Sequence, residues 1–313
     1  MLHTVFYYTL NMSLTSCFVI TPLLLVRLIR PLPKRIIYPL WTLAFLRLIV
    51  PFAPSASWSL FNFTGGLVKR LVTVESFNKM PITADLAMMN SIGAAESYIP
   101  VTYKTESLRQ IFMTGSVIWG IVTAALLLTS VILYALTYGE LKKAVLLRNN
   151  LYSSDMLLSP VLAGIFRTKI ILPSSLNPDS PEGHMVVAHE SVHRRRLDNL
   201  WRVLAVGITC LHWFNPLVWV MLKTFFTDME LSCDEAVIKK YGEAERKAYA
   251  SALLHFAEDK RVLISSAFGR SGVKVRIVNV LNYKKLTTIG IIVSAIFLLA
   301  VAAVLMTNPQ LRG

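Results

Sequence analysis

Charged residues are scarce in this chain. Only 16% of its 313 residues are Asp, Glu, Lys or Arg, whereas a soluble domain usually contains about 25%. Acidic residues are fewer than basic residues, 18 against 32. In addition, 54% of the residues are hydrophobic. The hydrophobic residues occur in long blocks. This pattern argues against a wholly soluble domain and predicts a mainly α-helical membrane protein.

Cysteine is also rare in this sequence. The three cysteines, Cys17, Cys210 and Cys233, fall in segments that we expect to lie in the membrane or the cytoplasm. Disulfide bonds do not persist in the reducing cytoplasm, so a disulfide framework is not expected. Internal repeats and low-complexity tracts are absent, which excludes a repeat array.

Four apolar segments are candidates for membrane-spanning helices. The first and the third, about residues 4–26 and 111–136, contain no charged residue and are long enough to cross a bilayer. The second, about residues 36–52, is interrupted by Arg47, and the fourth begins at Thr288. The sequence therefore predicts four transmembrane helices.

Basic residues predict how these helices are oriented. The link between the first two spans contains four basic residues and no acidic one, namely Arg27, Arg30, Lys34 and Arg35. Such links remain in the cytoplasm, so we expect both chain termini outside the cell. The resulting organisation is a membrane region at 1–138 with an extracellular loop at 53–110, a cytoplasmic domain at 139–286, and a fourth span with a short external tail at 287–313.

The most informative motif is His189-Glu190-Ser191-Val192-His193. Residues four apart share one face of an α-helix, so both imidazoles can reach one metal ion. Glu190 can then act as the general base for a water at that metal. The alternative is a surface helix with two unrelated histidines. The motif predicts one catalytic Zn²⁺ per chain.

A third ligand is available in a later helical stretch. Glu230 and Asp234 again lie four apart on one face, so Glu230 can complete the zinc site. Asp234 is placed to accept the outer N–H of a ligating imidazole and fix its orientation. Cys233 is a rival ligand, but it lies about 100° around the helix from both, which favours a small buried residue. The alternative for Glu230 and Asp234 is a solvated helix face.

One segment could be incompatible with this predicted metal site. Residues 203–222 contain no charged residue and are long enough to span the membrane, which would put Glu230 on the opposite side from His189 and His193. The polar and aromatic stretch around Asn215-Pro216 argues against a continuous span. We therefore predict a broken helical hairpin associated with the inner membrane surface.

A small β-hairpin is predicted before the metal motif. Residues 159–173 contain two short apolar strands, bounded by Pro160 and Pro173 and joined at Arg167-Thr168. An edge strand beside a peptidase site can hold an extended substrate through main-chain hydrogen bonds. The alternative is that the hairpin only packs under the motif helix.

These motifs together resemble those of a known family. His189-Glu190-x-x-His193 with Glu230-x-x-x-Asp234 matches the gluzincin pattern of zinc metallopeptidases. Leu211-His212-Trp213-Phe214-Asn215-Pro216-Leu217 and the stretch from Met229 to Val237 resemble integral-membrane peptidases of the BlaR/MecR type, the bacterial transducers that sense β-lactam antibiotics. The resemblance extends over essentially the whole chain.

The resemblance implies roles, partners and a location. His189, His193 and Glu230 would bind zinc, Glu190 would be the general base, and Asp234 would support a ligand. The chain would be an antirepressor transducer of the bacterial cytoplasmic membrane that cleaves a cytoplasmic transcriptional repressor, with self-cleavage as an activation step. It would contact membrane lipids and would allow a homodimer, and direct nucleic-acid binding is not expected.

Two other functions remain open from the sequence. One is a general quality-control zinc protease of the membrane, and the other is a non-enzymatic membrane receptor or scaffold. The chain also departs from the transducers, because the sequence ends at Gly313, shortly after the fourth span. We therefore expect no extracellular penicillin-binding sensor domain in this chain, and hence no direct acylation by β-lactams.

Overall fold

The computed structural model describes residues 1–29, 32–60, 73–76, 86–98, 100–259, 267–285 and 287–309. These residues are mainly helical. Their α-helices are α1 Leu2–Arg27, α2 Lys34–Ile49, α3 Glu106–Leu141, α4 Pro181–Arg196, α5 Asp198–Leu211, α6 Pro216–Tyr241, α7 Arg246–Asp259, α8 Ala267–Leu281 and α9 Thr288–Leu305. A short 3-10 turn, Glu243–Glu245, separates α6 from α7.

Three of these helices, α1, α3 and α9, are long and apolar enough to cross a membrane, judged by length and composition. The apolar surfaces of α3 and α9 are largely exposed, as expected for helices that face lipid. The second predicted span is present as α2, which has 16 residues and is shorter than the roughly 17–25 residues of a typical span. Four spans therefore remain a prediction.

The largest hydrophobic core joins the two N-terminal helices to α5 and α6. Trp41 and Phe45 of α2 are buried there against Phe225 of α6, whose ring stacks on Tyr38 at 5.5 Å between centroids. Arg47, which interrupts the second predicted span, is buried and donates a hydrogen bond to Asn308 Oδ1. Packing thus fixes α6 against α1 and α2.

Polar contacts reinforce this packing at one end of α1. Arg27 at the end of α1 pairs with Asp228 of α6, with Nε 2.9 Å from Oδ1, and Asp228 is fully buried. The indole N–H of Trp41 donates to the other carboxylate oxygen at 3.0 Å. Both oxygens of a buried carboxylate are thereby satisfied, which offsets the cost of removing the charge from water.

The start of α2 is also attached to α6. Its N-cap residue, Pro33, makes no side-chain capping bond. Instead the Glu235 carboxylate accepts the backbone N–H groups of Lys34 at 2.8 Å and Arg35 at 3.1 Å. A carboxylate at a helix N-terminus satisfies free donors and interacts favourably with the helix dipole. Glu235 therefore caps a helix to which it does not belong.

Within the described residues, short strands form three small sheets. The strands are β1 Phe52–Ala56, β2 Thr73–Ser76, β3 Leu86–Asn90, β4 Ala95–Tyr98, β5 Val101–Tyr103, β6 Val145–Arg148, β7 Leu151–Ser154, β8 Val161–Ala163, β9 Lys169–Pro173 and β10 Asn308–Pro309. The four-stranded sheets have the orders β10-β1-β3-β2 and β6-β7-β9-β8, and β4 pairs with β5. The predicted hairpin at 159–173 is present as the antiparallel pair β8 and β9.

The segment predicted as an extracellular loop contains regular secondary structure. It contains β1 to β5, while residues 61–72 and 77–85 lie outside the described part of the chain. The predicted external tail contributes β10, which pairs in parallel with β1. The segments after α2 and after α9 are therefore joined in one sheet.

The helix break predicted within residues 203–222 is present, and the association of this hairpin with the inner membrane surface stays a prediction. α5 ends at Leu211, a turn follows, and α6 begins at Pro216. The side chain of Asn215 caps α6 by accepting the N–H of Leu217 at 3.0 Å. This reversal returns the chain to α4, so the C-terminal half of α6 packs against the helix that contains the metal motif.

The start of α4 is tightly packed. Ser180 is its N-cap and accepts the N–H of Gly183 at 3.0 Å. A Cβ atom on Gly183 would lie 2.1 Å from the carbonyl oxygen of Asn177, which is far inside contact distance. Only glycine fits here without a shift of the backbone, and this close approach fixes the position of the helix.

Candidate metal centre

The two histidines of the motif face each other on α4. The Nε2 atoms of His189 and His193 are 3.1 Å apart, and both side chains are buried. This is the arrangement predicted from their spacing along one helix face. The structure therefore brings two metal-binding nitrogens to one point.

Glu230 of α6 completes this group. Its Oε2 lies 3.4 Å from His189 Nε2, and its Oε1 lies 3.6 Å from His193 Nε2. Ligand atoms about 2.0–2.1 Å from a tetrahedral zinc are roughly 3.3 Å from one another, so these separations fit that ion. The three side chains can hold one zinc and leave a fourth position open.

The outer nitrogen of His189 has two buried partners. Its Nδ1 lies 3.2 Å from Asp234 Oδ1, the contact predicted for Asp234. The Tyr249 hydroxyl lies 3.0 Å from the same nitrogen and donates to Asp234 at 2.7 Å. These contacts orient the His189 ring, because a fixed outer nitrogen sets which nitrogen faces the metal.

The outer nitrogen of His193 has a partner that the sequence analysis missed. Asp198 Oδ2 lies 2.7 Å from His193 Nδ1, and the Tyr38 hydroxyl donates to the other oxygen at 2.9 Å. Asp198 can reach back because Leu197 adopts a left-handed conformation, with φ of 54°, at the break between α4 and α5. An acidic residue directly after a helix break was the available signal.

Cys233 does not join the Nε2 group. Its Sγ lies 3.4 Å from His193 Nδ1 and 3.5 Å from Asp198 Oδ2, on the outer side of the imidazole. Burial raises the pKa of this thiol, and zinc binds the thiolate rather than the thiol. The position agrees with the expectation of a small buried residue.

Glu190 lines a cavity of about 320 Å³ next to the three candidate ligands. Residues 159–162, which include the first two residues of β8, form another part of its wall. Four residues of α4 and α6 were predicted to bind the metal or to react. All of them border this cavity, namely His189, Glu190, His193 and Glu230.

Two arginines from other helices also reach Glu230, and the sequence analysis missed both. Arg202 Nη2 lies 2.6 Å from Glu230 Oε1, and Arg276 Nη1 lies 3.4 Å from Oε2. Arg276 also donates to both oxygens of Asp234, at 2.8 and 2.9 Å. Their distance along the sequence leaves no local pattern that would have identified them.

The histidines and Glu230 of the site shift one another's pKa values in opposite directions. Burial alone would lower the pKa of both imidazoles, but hydrogen bonds from His189 to Asp234 and from His193 to Asp198 raise the pKa of each above 6.5. Burial likewise opposes ionisation of Glu230, yet its bonds to the two histidines hold its pKa well below the usual value. The metal-free site therefore attracts protons to the nitrogens that would bind zinc.

Fold and site together define an α-helical membrane protein with a metallopeptidase-type site. Residues 7–280 match the family model of the BlaR1 peptidase M56, so the chain belongs to this family. The predicted BlaR/MecR resemblance is confirmed.

Named relatives agree with the family. The regulatory protein BlaR1 of Bacillus licheniformis is 28% identical to this chain, and the alignment covers 87% of this chain and 50% of the relative. BlaR1 of Staphylococcus aureus is 26% identical, over 92% of this chain and 54% of the relative. The methicillin resistance mecR1 protein of Staphylococcus aureus strain Mu50 is 22% identical, over 69% of this chain and 40% of the relative. The chain spans about half the length of the curated relatives it matches.

Proposed function

We propose that this chain is a zinc metalloendopeptidase of the bacterial cytoplasmic membrane. Its active site would face the cytoplasm and would cleave a transcriptional repressor, and the chain itself, in signal transduction. The observation that carries the proposal is the meeting of His189, His193 and Glu230 beside Glu190 in one cavity. Three protein ligands with an open position are typical of catalytic zinc, whereas structural zinc sites are closed by four.

Each residue then has a definite task. His189, His193 and Glu230 would hold zinc, which when bound lowers the pKa of a water and polarises a peptide carbonyl. Glu190 accepts a proton from the attacking water and passes it to the leaving amine. Asp234 and Asp198 orient the two imidazoles through their outer nitrogens.

The position of β8 supports a peptide as the substrate. β8 is an edge strand of its sheet, and residues 159–162 border the cavity. An edge strand can hold an extended peptide through main-chain hydrogen bonds, and in β8 the Leu162 carbonyl would have to exchange its bond with the Asn199 amide to do so. An extended segment of a protein could therefore lie across the cavity with one peptide bond near Glu190.

The regulatory part of the proposal rests on the relatives. Two are named regulatory proteins, and another is named for methicillin resistance. A repressor is a suitable substrate for such a regulator, because its cleavage converts a signal at the membrane into a change in transcription. The basic link between α1 and α2 supports a cytoplasmic site, since Arg27, Lys34 and Arg35 all contact α6 or residues packed with it.

The substitution Glu190→Gln tests the catalytic part. We expect the variant to retain about one zinc per chain and to lose proteolysis, because glutamine cannot accept the proton. His189→Ala should instead lose the metal. Zinc content is measured on the purified protein, and cleavage is measured by comparing the proteomes of cells that carry wild type or Glu190→Gln.

The outcome separates the possible functions. One repressor, or very few proteins, cleaved only by wild type supports the regulatory role. Many cleaved membrane proteins would indicate quality control instead. Proteolysis that persists in purified Glu190→Gln would refute the assignment of the general base.

A further inference from the structure

The two arginines that flank Glu230 differ in how firmly they are held. Arg276 is engaged by both oxygens of Asp234, at 2.8 and 2.9 Å. Arg202 has no such partner among the described residues, where its polar contacts are with Glu230 at 2.6 Å and Asn199 at 3.3 Å. Its side chain is 36% exposed, against 22% for Arg276. Arg202 is thus the arginine with N–H donors left for another ligand.

Arg202 borders the cavity in which a substrate would lie. It lines the same cavity as Glu190 and the three candidate metal ligands. A guanidinium has five N–H donors, and only two of its nitrogens are engaged here. Arg202 therefore has N–H donors left for an acceptor bound in this cavity.

Asn199 links Arg202 to the edge strand. The Asn199 amide donates to the carbonyl oxygens of Leu162 at 2.7 Å and Gly164 at 2.8 Å, while its own oxygen accepts Arg202 Nη1. Asn199 therefore connects the Arg202 guanidinium to the segment that contains β8. Residues 159–162 and Arg202 border the same cavity, so a peptide bound along this wall would pass close to Arg202.

We propose that Arg202 is a catalytic residue that donates a hydrogen bond to the carbonyl oxygen of the scissile peptide bond. This inference rests on the proposed peptidase function. As the water oxygen bonds to the carbonyl carbon, the electron pair of the C=O bond moves to the oxygen, and Glu190 takes the proton. When the C=O bond re-forms, the C–N bond breaks and the nitrogen receives that proton. The bond from Arg202 strengthens while the oxygen is negative.

The alternative is that Arg202 only positions Glu230. The two roles differ in their effect on zinc. A residue that orients a ligand changes metal affinity when it is removed, by about 10–100-fold. A donor to the reacting oxygen changes turnover and leaves the metal in place, by about 10²–10³-fold in kcat.

The experiment compares full-length wild type, Arg202→Ala, Arg202→Lys and Arg195→Ala in detergent with zinc. Arg195 is an exposed arginine of α4 that does not line the cavity, so it controls for loss of a positive charge. Zinc affinity is measured with a competing chelator, cleavage with labelled β-casein, and binding with a phosphinic pseudotripeptide. The phosphinic oxygens stand in for the negative oxygen of the reacting carbonyl.

We expect Arg202→Ala to keep its zinc affinity, lose about 10²–10³-fold in kcat with little change in KM, and bind the phosphinic peptide correspondingly weakly. Arg202→Lys should recover part of the activity, added guanidinium should rescue Arg202→Ala, and Arg195→Ala should match wild type. Loss of zinc in parallel with activity would overturn the proposal, as would unchanged kcat. If zinc-loaded wild type cleaves neither β-casein nor itself, and the proteome comparison shows no protein cut only by wild type, the peptidase function fails. Equal phosphinic-peptide binding by wild type and Arg202→Ala separately overturns the role of Arg202.

Discussion

At the scale of single residues, protons and metal compete for the same two nitrogens. His189 and His193 have raised pKa values because their outer nitrogens contact Asp234 and Asp198. Under the proposed function, those same contacts would strengthen each imidazole as a zinc ligand, since a more basic nitrogen is a better donor. The supporting carboxylates thus increase affinity for zinc and for protons together.

Zinc affinity should therefore depend steeply on pH. Below the raised pKa values of His189 and His193, which lie above 6.5, zinc must displace two protons. We expect the apparent affinity to fall by about a hundredfold for each pH unit in that range and to level off at higher pH. Competition with a chelator, repeated at about half-unit steps between roughly pH 5.5 and 8.5, measures how the zinc affinity changes with pH.

His184→Ala provides the matched control, because His184 is exposed on the same helix. Its removal should leave the slope unchanged. A flat profile for the wild-type protein would show that the two imidazoles are already neutral in the metal-free site.

The residues of the site divide clearly into those the sequence predicted and those it did not. His189, His193, Glu230 and Asp234 were predictable because helix geometry relates positions four apart. Asp198 depended on a left-handed residue at Leu197, which no spacing rule predicts. Tyr249, Arg202 and Arg276 come from three other helices and meet the site only through tertiary packing.

At the scale of elements, the start of α4 determines where the metal motif lies. Ser180 caps the helix, and Gly183 packs directly on the carbonyl of Asn177. His189 follows less than two turns later, so a displaced helix start would move the imidazole away from Glu230.

The substitution Gly183→Ala should disturb both stability and metal binding. Its new Cβ would lie 2.1 Å from Asn177 O, and relief requires a backbone shift that costs about 1–3 kcal/mol. We expect a lower thermal unfolding midpoint in detergent and weaker zinc binding. Gly207→Ala in α5 is the control, because a Cβ there meets no atom within 4 Å and alanine favours a helix interior. A stable, zinc-loaded Gly183→Ala would contradict this account of the helix start.

Helices were easier to predict than strands for a physical reason. The spans contain long runs of apolar residues, and α4 and α6 contain residues with helical spacing. β6 is exposed at every position and so has no alternating pattern, while β1 contains Pro54. Their strand conformation depends on pairing with distant segments, as for β1 with β10.

At the scale of the whole molecule, orientation in the membrane is the main expectation still to be tested. The predicted topology places residues between α3 and α9 in the cytoplasm and the segment between α2 and α3 outside. Exposed lysines occur on both predicted sides, at Lys104 and Lys247.

Cysteine labelling can test this orientation. We expect Lys104→Cys to react with an impermeant maleimide in intact cells and Lys247→Cys to react only after permeabilisation. The wild-type protein measures background labelling from its three cysteines, of which Cys210 and Cys233 are buried. Labelling of Lys247→Cys from outside would place the candidate metal centre on the external side and would rule out a cytoplasmic substrate.

The contacts that α6 makes with the N-terminal helices have a thermodynamic consequence. Asp228, Glu230 and Glu235 lie within about two turns of one helix, yet they contact α1, the candidate metal centre and α2, respectively. Binding free energies that act through one shared element are linked reciprocally. If zinc binds the present packing of α1 and α2 more tightly than an alternative one, a ligand that favours this packing would tighten zinc binding, and zinc would tighten the binding of that ligand by the same factor.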